Sequence, residues 1–167
     1  MENLLTSQIE QKIIEARELY YHLVLVVGPA NSGKTAALQA ISASASVPII
    51  HINLELSQRM LDMTVHQRIR KTLDLLRTIT KEVDNEFVLL DNIELLFDVH
   101  LEQNPLRLLQ MLSRTKTIVA AWNGSIGNKK LTYAVPGHPE YRGYPIGDFL
   151  AVSSLNNDSD IQSNLNE

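Results

Sequence analysis

The chain has 167 residues, with 15 Lys and Arg against 19 Asp and Glu, for a formal net charge of −4 with histidines neutral. That length predicts one domain, residues 1–152, able to bury about two-thirds of its unfolded surface. The acidic balance argues against a protein that coats nucleic acid over its whole surface, the lack of cysteine excludes disulfides and thiolate metal sites, and no stretch approaches the ~20 apolar residues needed to cross a bilayer.

Leu5, Ile9, Ile13, Ala16 and Tyr20 recur at three- and four-residue steps, so the leading segment, residues 1–22, should be an amphipathic helix. It carries no basic region, long apolar segment and cleavage site of an export signal, and the cytoplasm is the expected compartment. The apolar run Leu23 to Val27 reads as a buried strand, and it leads into Gly28-Pro-Ala-Asn-Ser-Gly-Lys34-Thr35 and then a helix from Ala36. A strand, this loop and a helix in that order form a phosphate-binding loop. The glycines let the chain turn tightly enough for successive N–H groups, from Asn31 through Ser32, Gly33, Lys34 and Thr35 to Ala36, to point at a triphosphate. Lys34 should reach the β- and γ-phosphates as a point charge, and the Thr35 hydroxyl suits the oxygen shell of a Mg²⁺ ion. ATP and Mg²⁺ are therefore the expected ligands. The five histidines, His22, His51, His66, His100 and His138, show no metal-ligand spacing.

Val47 to Ile52 reads as a second strand, and Val65, Ile69, Leu73 and Leu76 trace a long helix. That helix carries Arg68, Arg70 and Lys71, with Arg77 and Lys81 further on. Such a run is a solvated face or a docking surface for DNA or a partner. Glu86 to Asp91 is a third strand whose closing acid, Asp91, stands where P-loop proteins hold Mg²⁺. Hydrolysis also needs a group to orient the attacking water. The residue after Asp91 is Asn92, an amide that cannot accept a proton, so Glu94 is the candidate base.

Asn104 and Pro105 open another helix, and Thr117 to Trp122 is a fourth strand ending at Asn123. If this strand lies between the first and third, Asn123 sits between Thr35 and Asp91 and can sense the γ-phosphate. Residues 123–145, rich in Gly, Pro and Tyr, read as loop, and Asp148 to Val152 as a fifth strand. Arg142, before that strand, is the first candidate for an arginine offered to a neighbour's phosphates, with Arg114 second. The polar segment 153–167 should be disordered. Apolar strands alternating with helices imply an α/β fold, a mostly parallel sheet covered on both faces, with ligands at the carboxyl ends of its strands.

Gly28 to Thr35, Phe87 to Asp91 and Asn123 resemble the two nucleotide motifs and first sensor of the additional-strand class of P-loop ATPases, which includes the AAA-type domains. The resemblance implies a three-layer α/β/α fold and a five-stranded sheet ordered 5-1-4-3-2, the sensor strand lying between the motif strands. More narrowly, Leu90 to Phe97, Pro105 to Leu109, Thr117 to Trp122 and Leu131 to Tyr141 are similar to the BrxF-like small P-loop proteins of BREX bacteriophage-exclusion systems. That implies a role in bacterial antiphage defence alongside a DNA methyltransferase, a phosphatase-like protein and other ATPases. The chain departs from the wider class in leaving no room for a helical lid domain and in placing Asn92 at the usual catalytic-acid position. The expected function is a Mg²⁺-dependent ATP binder and slow ATPase, self-associating with nucleotide and acting as an assembly module. The alternative is a scaffold that binds nucleotide without turning it over.

Overall fold

The structure, a computed structural model, describes residues 3–155. Helix α1, Leu4–Ala16, is capped by Asn3, whose side chain accepts the Leu5 N–H at 3.1 Å, and it buries Leu5, Ile9, Ile13 and Ala16. Tyr20, expected to continue that stripe, lies beyond the helix end and is 64% exposed. Strand β1, Leu23–Gly28, is buried at all six positions because the sheet flanks it on both edges. Helix α2, Lys34–Ala45, follows the phosphate loop and buries Ala37, Leu38 and Ile41.

Strand β2, Ile49–His51, is shorter than the sequence suggests. Ile52, expected to be its last residue, instead opens helix α3, Ile52–Met60. Ile52, Leu56 and Met60 form a buried stripe at four-residue spacing that only a helix satisfies. Helix α4, Val65–Lys81, begins at a capping box in which Thr64 and Gln67 satisfy each other's backbone N–H groups. Strand β3, Phe87–Asp91, leads through two short 3₁₀ turns to helix α5, Pro105–Leu112, capped by Asn104 with proline at its first position.

The parallel sheet runs β2-β3-β4-β1-β7, where β4 is Thr117–Gly127 and β7 is Leu150–Ser153. Counting β7 as the fifth parallel strand, this is the expected 5-1-4-3-2 order. Side chains of alternate sign along the strands feed two cores. One joins Val24, Val26, Leu89 and Val119 to α1 and α2; the other joins Leu25, Val88, Leu90 and Trp122 to α3, α4 and α5. Helices therefore cover both faces, and no helical lid domain follows β7 among the described residues.

Two further sequence expectations need correction. Residues 123–145 are not all loop: β4 continues to Gly127 and turns into β5, Lys130–Tyr133, which pairs antiparallel with β4 and with β6, Arg142–Pro145. The two-residue turn Asn128-Lys129 has positive φ at both positions (50° and 57°), the handedness that suits a tight hairpin. Leu131 and Tyr133 are buried while Lys130 is exposed, a two-residue period too short to stand out against the surrounding glycines and prolines. The second correction concerns the polar tail. Ser153 closes β7, and Ser154 is buried, its N–H donating to the Val27 carbonyl at 2.8 Å. Residues 156–167, the remainder of that expected tail, lie outside the described residues.

Candidate nucleotide-binding site

The site lies where the carboxyl ends of β1, β3 and β4 meet. Strand register pairs Gly28 with Asn123 and His51 with Asp91, so the phosphate loop, the acid and the amide arrive at one edge of the sheet. They line a cleft of about 230 Å³ bounded by the 30–36 loop, Asp91, Asn92, Glu94 and Asn123.

The loop's shape depends on two left-handed residues, Asn31 at φ 61° and Gly33 at φ 92°, and Gly33 is also the residue before α2. Gly28 answers a different need. A Cβ there would stand 1.7 Å from the Ser154 Oγ and 2.6 Å from the Ser32 Oγ, because the Ser32 and Ser154 hydroxyls are hydrogen-bonded to each other directly over it. The end of β7 thereby fastens the phosphate loop, a contact that a polar serine run gave no sign of.

Lys34 is buried, and its ammonium donates to the Gly28 carbonyl at 2.8 Å, the Pro29 carbonyl at 2.5 Å and the Ser32 hydroxyl at 3.4 Å. Burial lowers its pKa below the usual lysine range, and the nearby Asp91 and Glu94 carboxylates partly oppose that shift. An incoming phosphate oxygen is a stronger partner for this cation than the loop's carbonyls.

The Thr35 hydroxyl donates to Asp91 Oδ2 at 2.8 Å, and the other Asp91 oxygen accepts the Asn92 N–H at 2.9 Å. A hydroxyl and a carboxylate in contact at the foot of a polyphosphate cleft are hard oxygen donors of the kind Mg²⁺ takes, with phosphate and water completing the shell. Among the described residues no cluster of three or more His, Asp or Glu forms a self-sufficient metal site, so such an ion would depend on the nucleotide's own oxygens.

Asn92 and Glu94 separate clearly. Asn92 adopts φ 50°, and its side-chain amide bonds His51 Nδ1 at 2.8 Å. Glu94 is held from both sides: Oε1 accepts from Asn123 Nδ2 at 2.6 Å, and Oε2 accepts from Asn53 Nδ2 at 3.0 Å. Asn53 is itself fixed, since its Oδ1 accepts the Leu95 N–H at 2.7 Å and its N–H donates to the Asn92 carbonyl at 2.8 Å. Glu94 therefore reaches the cleft from the turn after Asp91, presented as an oriented carboxylate. Asn53 was missed in the sequence, where an amide one residue past a short strand carries no signal of its own.

Asn123 is placed by what lies beneath it. Trp122 is fully buried, donates from Nε1 to the Thr132 carbonyl at 3.0 Å, and meets Phe97 and Tyr133 edge-on. Phe97 and Tyr133 stack at 3.4 Å and 6°. Arg142 and Arg114 do not line the cleft. Arg142 sits on β6 opposite Tyr133, with its Nε buried and unpartnered. Arg114 lies after α5, its guanidinium 4.6 Å from the Tyr20 ring. A second, mainly apolar cleft of about 480 Å³ adjoins the first, lined by Pro29, Ala30, Asn123, Ser125, Val135 and Tyr141 among others.

The sequence matches the ATPase family associated with various cellular activities (AAA) over residues 24–119. In structure it is similar to AMPPCP-bound DnaA from Aquifex aeolicus, at 20% identity and a TM-score of 0.38, covering 74% of this chain. The chain spans 40% of that DnaA chain's length. No curated protein matches. No helix among the described residues is long and apolar enough to cross a membrane.

Proposed function

The chain belongs to the AAA family of ATPases, and from that premise we propose that it binds ATP with Mg²⁺ and hydrolyses it slowly. The observation that carries the hydrolytic half is Glu94, gripped by Asn53 and Asn123 in the same cleft as Lys34 and the Thr35–Asp91 pair. Gly28 and residues 31–36 would surround the phosphates with backbone N–H groups and the α2 N-terminus. Thr35 and Asp91 would hold Mg²⁺, which supplies charge neutralisation at the phosphate oxygens. Lys34 offsets charge developing on the terminal phosphate, and Asn123 bonds an oxygen there or releases Glu94 when that oxygen is present. Glu94 accepts the proton of the attacking water.

Hydrolysis is slow on this reading because both Glu94 oxygens are already held by amide donors, one of which must let go before a water can reach the carboxylate. Phosphate release from purified protein tests it directly: Lys34→Ala and Asp91→Ala should abolish Mg²⁺-dependent turnover. Glu94→Gln should lower it by about 10²- to 10⁴-fold while leaving ATP binding intact. Turnover in the wild type no higher than in these variants would remove the enzymatic half.

A second reading, a nucleotide-dependent scaffold with negligible turnover, is favoured by Asn92, which bonds His51 and offers no base at the position directly after Asp91. Under either reading the domain would self-associate when nucleotide binds and recruit other proteins of a defence system. The similarity of Leu90 to Phe97 and Leu131 to Tyr141 to the small P-loop proteins of BREX systems supports that assignment, with action on DNA as an extension. Light scattering with and without ATP should show a change in mass or partner binding; none in either would remove the assembly role.

A further inference from the structure

At the end of the sheet opposite the phosphate loop, the structure gathers an exposed and a half-buried tyrosine with exposed cations from three separate segments. Tyr20 and Tyr21, ahead of β1, meet edge to face at 4.8 Å. Arg114 lies over the Tyr20 ring at 4.6 Å, and Arg107 of α5 lies 5.9 Å from the Tyr21 ring while donating to its hydroxyl at 2.9 Å. The same Arg114 joins Arg77 and Lys81 of α4 around a cavity of about 300 Å³ between the C-terminal ends of α4 and α5.

These groups form one continuous surface faced by Arg77, Lys81, Arg107 and Arg114, four cations against one paired acid, Asp74, which lies 3.9 Å from Arg77 on the same face of α4. Glu82 is turned instead toward Arg59 on the α3 side. The expected Arg68-Arg70-Lys71 run does not act as a block: Arg68 is half-buried, donates from Nε to the Met63 carbonyl, and lines a different cavity. Arg70, seven residues before Arg77, falls on the same helical stripe as Arg77 and Lys81 and extends the cationic face up α4.

Cations alone would suit any polyanion. The rings narrow the choice, since Tyr20 stays 64% exposed even with Arg114 over its ring. Backbone-tracking cations beside an exposed tyrosine suit phosphates whose bases are free to stack, which duplex nucleic acid does not offer. We propose that this surface binds single-stranded nucleic acid, Arg77, Lys81 and Arg114 taking phosphates and Tyr20 stacking a base. It lies about 20 Å from the phosphate loop, the length of the six-residue β1, and does not depend on the ATP reading.

The test is anisotropy of labelled oligothymidylate and oligouridylate of about twenty nucleotides, with a duplex of matched length, across a salt series. A fluorescent ATP analogue is titrated in parallel. Wild-type protein should bind single strands more tightly than duplex, and affinity should fall steeply with salt. Tyr20→Ala should weaken single-strand binding roughly five- to a hundredfold. Arg77→Ala and Lys81→Ala should each reduce the salt slope by about 0.7. All three should keep the wild-type melting temperature and ATP affinity, whereas Lys34→Ala should lose ATP and keep the oligonucleotide. No salt-dependent binding by wild type, a preference for duplex, or unchanged binding in folded Tyr20→Ala and Arg77→Ala variants would overturn the proposal. Displacement of oligonucleotide by stoichiometric ATP would also overturn it, by placing both ligands in one site.

Discussion

The residue with the most demanding environment is Lys34. Its ammonium is buried among loop carbonyls, and burial disfavours the charged form more than Asp91 and Glu94 restore it. A lysine with a depressed pKa loses its proton before the usual lysine range near 10.5, and only the protonated form draws phosphate. ATP affinity should therefore decline with rising pH at lower pH than an ordinary lysine would give. In Lys34→Arg the guanidinium stays charged and the decline should disappear. Calorimetric titration at rising pH measures it, and a flat wild-type profile would contradict the burial argument. Lys34, Thr35 and Asp91 were legible because their spacing has a chemical reason that any P-loop must satisfy. Asn53 was not, because its role exists only once α3 brings it against the turn that carries Glu94.

At the scale of elements, the antiparallel extension β4-β5-β6 was hidden by its own composition, yet it positions Asn123. Gly124 falls in the 123–145 stretch expected to be loop. It sits instead within β4, where an added Cβ would stand 1.8 Å from the Thr132 carbonyl oxygen, so β5 can approach only because that residue lacks a side chain. Gly124→Ala should push β5 away, break the Trp122–Thr132 hydrogen bond and cost about 1–3 kcal/mol. Denaturant unfolding followed by Trp122, the sole tryptophan, reports both the loss of stability and the ring's exposure. An unchanged midpoint would mean the strands are not in this contact. Tyr133 on β5 gives a second handle. Desolvation, with smaller contributions from Glu94 and Glu140, raises its pKa above the ordinary tyrosine value of 10.0. Its contribution to stability is thus complete below pH 10 and is lost as pH climbs from there toward the folded-state value, because the unfolded phenol ionises first. Tyr133→Phe should flatten that part of the stability profile, as read by unfolding midpoints on either side of pH 10.

At the scale of the molecule, the sequence conveyed the parallel sheet because buried strands announce themselves as uninterrupted apolar runs, whereas the strand order came only from the resemblance of its nucleotide motifs to the additional-strand P-loop ATPases. Leu23 to Val27 and Val88 to Leu90 leave no other reading. Short pieces were less clear: three residues of β2 and the start of α3 share one apolar run, and only packing against α4 and the 94–97 turn decides where one ends. The sheet also separates two chemistries. Its carboxyl edge concentrates acids, amides and the phosphate loop; its amino edge carries the tyrosines and arginines of the 20–22 and 107–114 segments.

The serine pair that ties β7 to the phosphate loop has a mechanical consequence. Ser154 is tied to the strand and loop ahead of it twice, by its N–H to the Val27 carbonyl and by its hydroxyl to Ser32, so a steric load on the backbone just past Leu155 bears directly on the phosphate loop. A fusion placed on that side should disturb nucleotide affinity where the same fusion ahead of α1 should leave it alone.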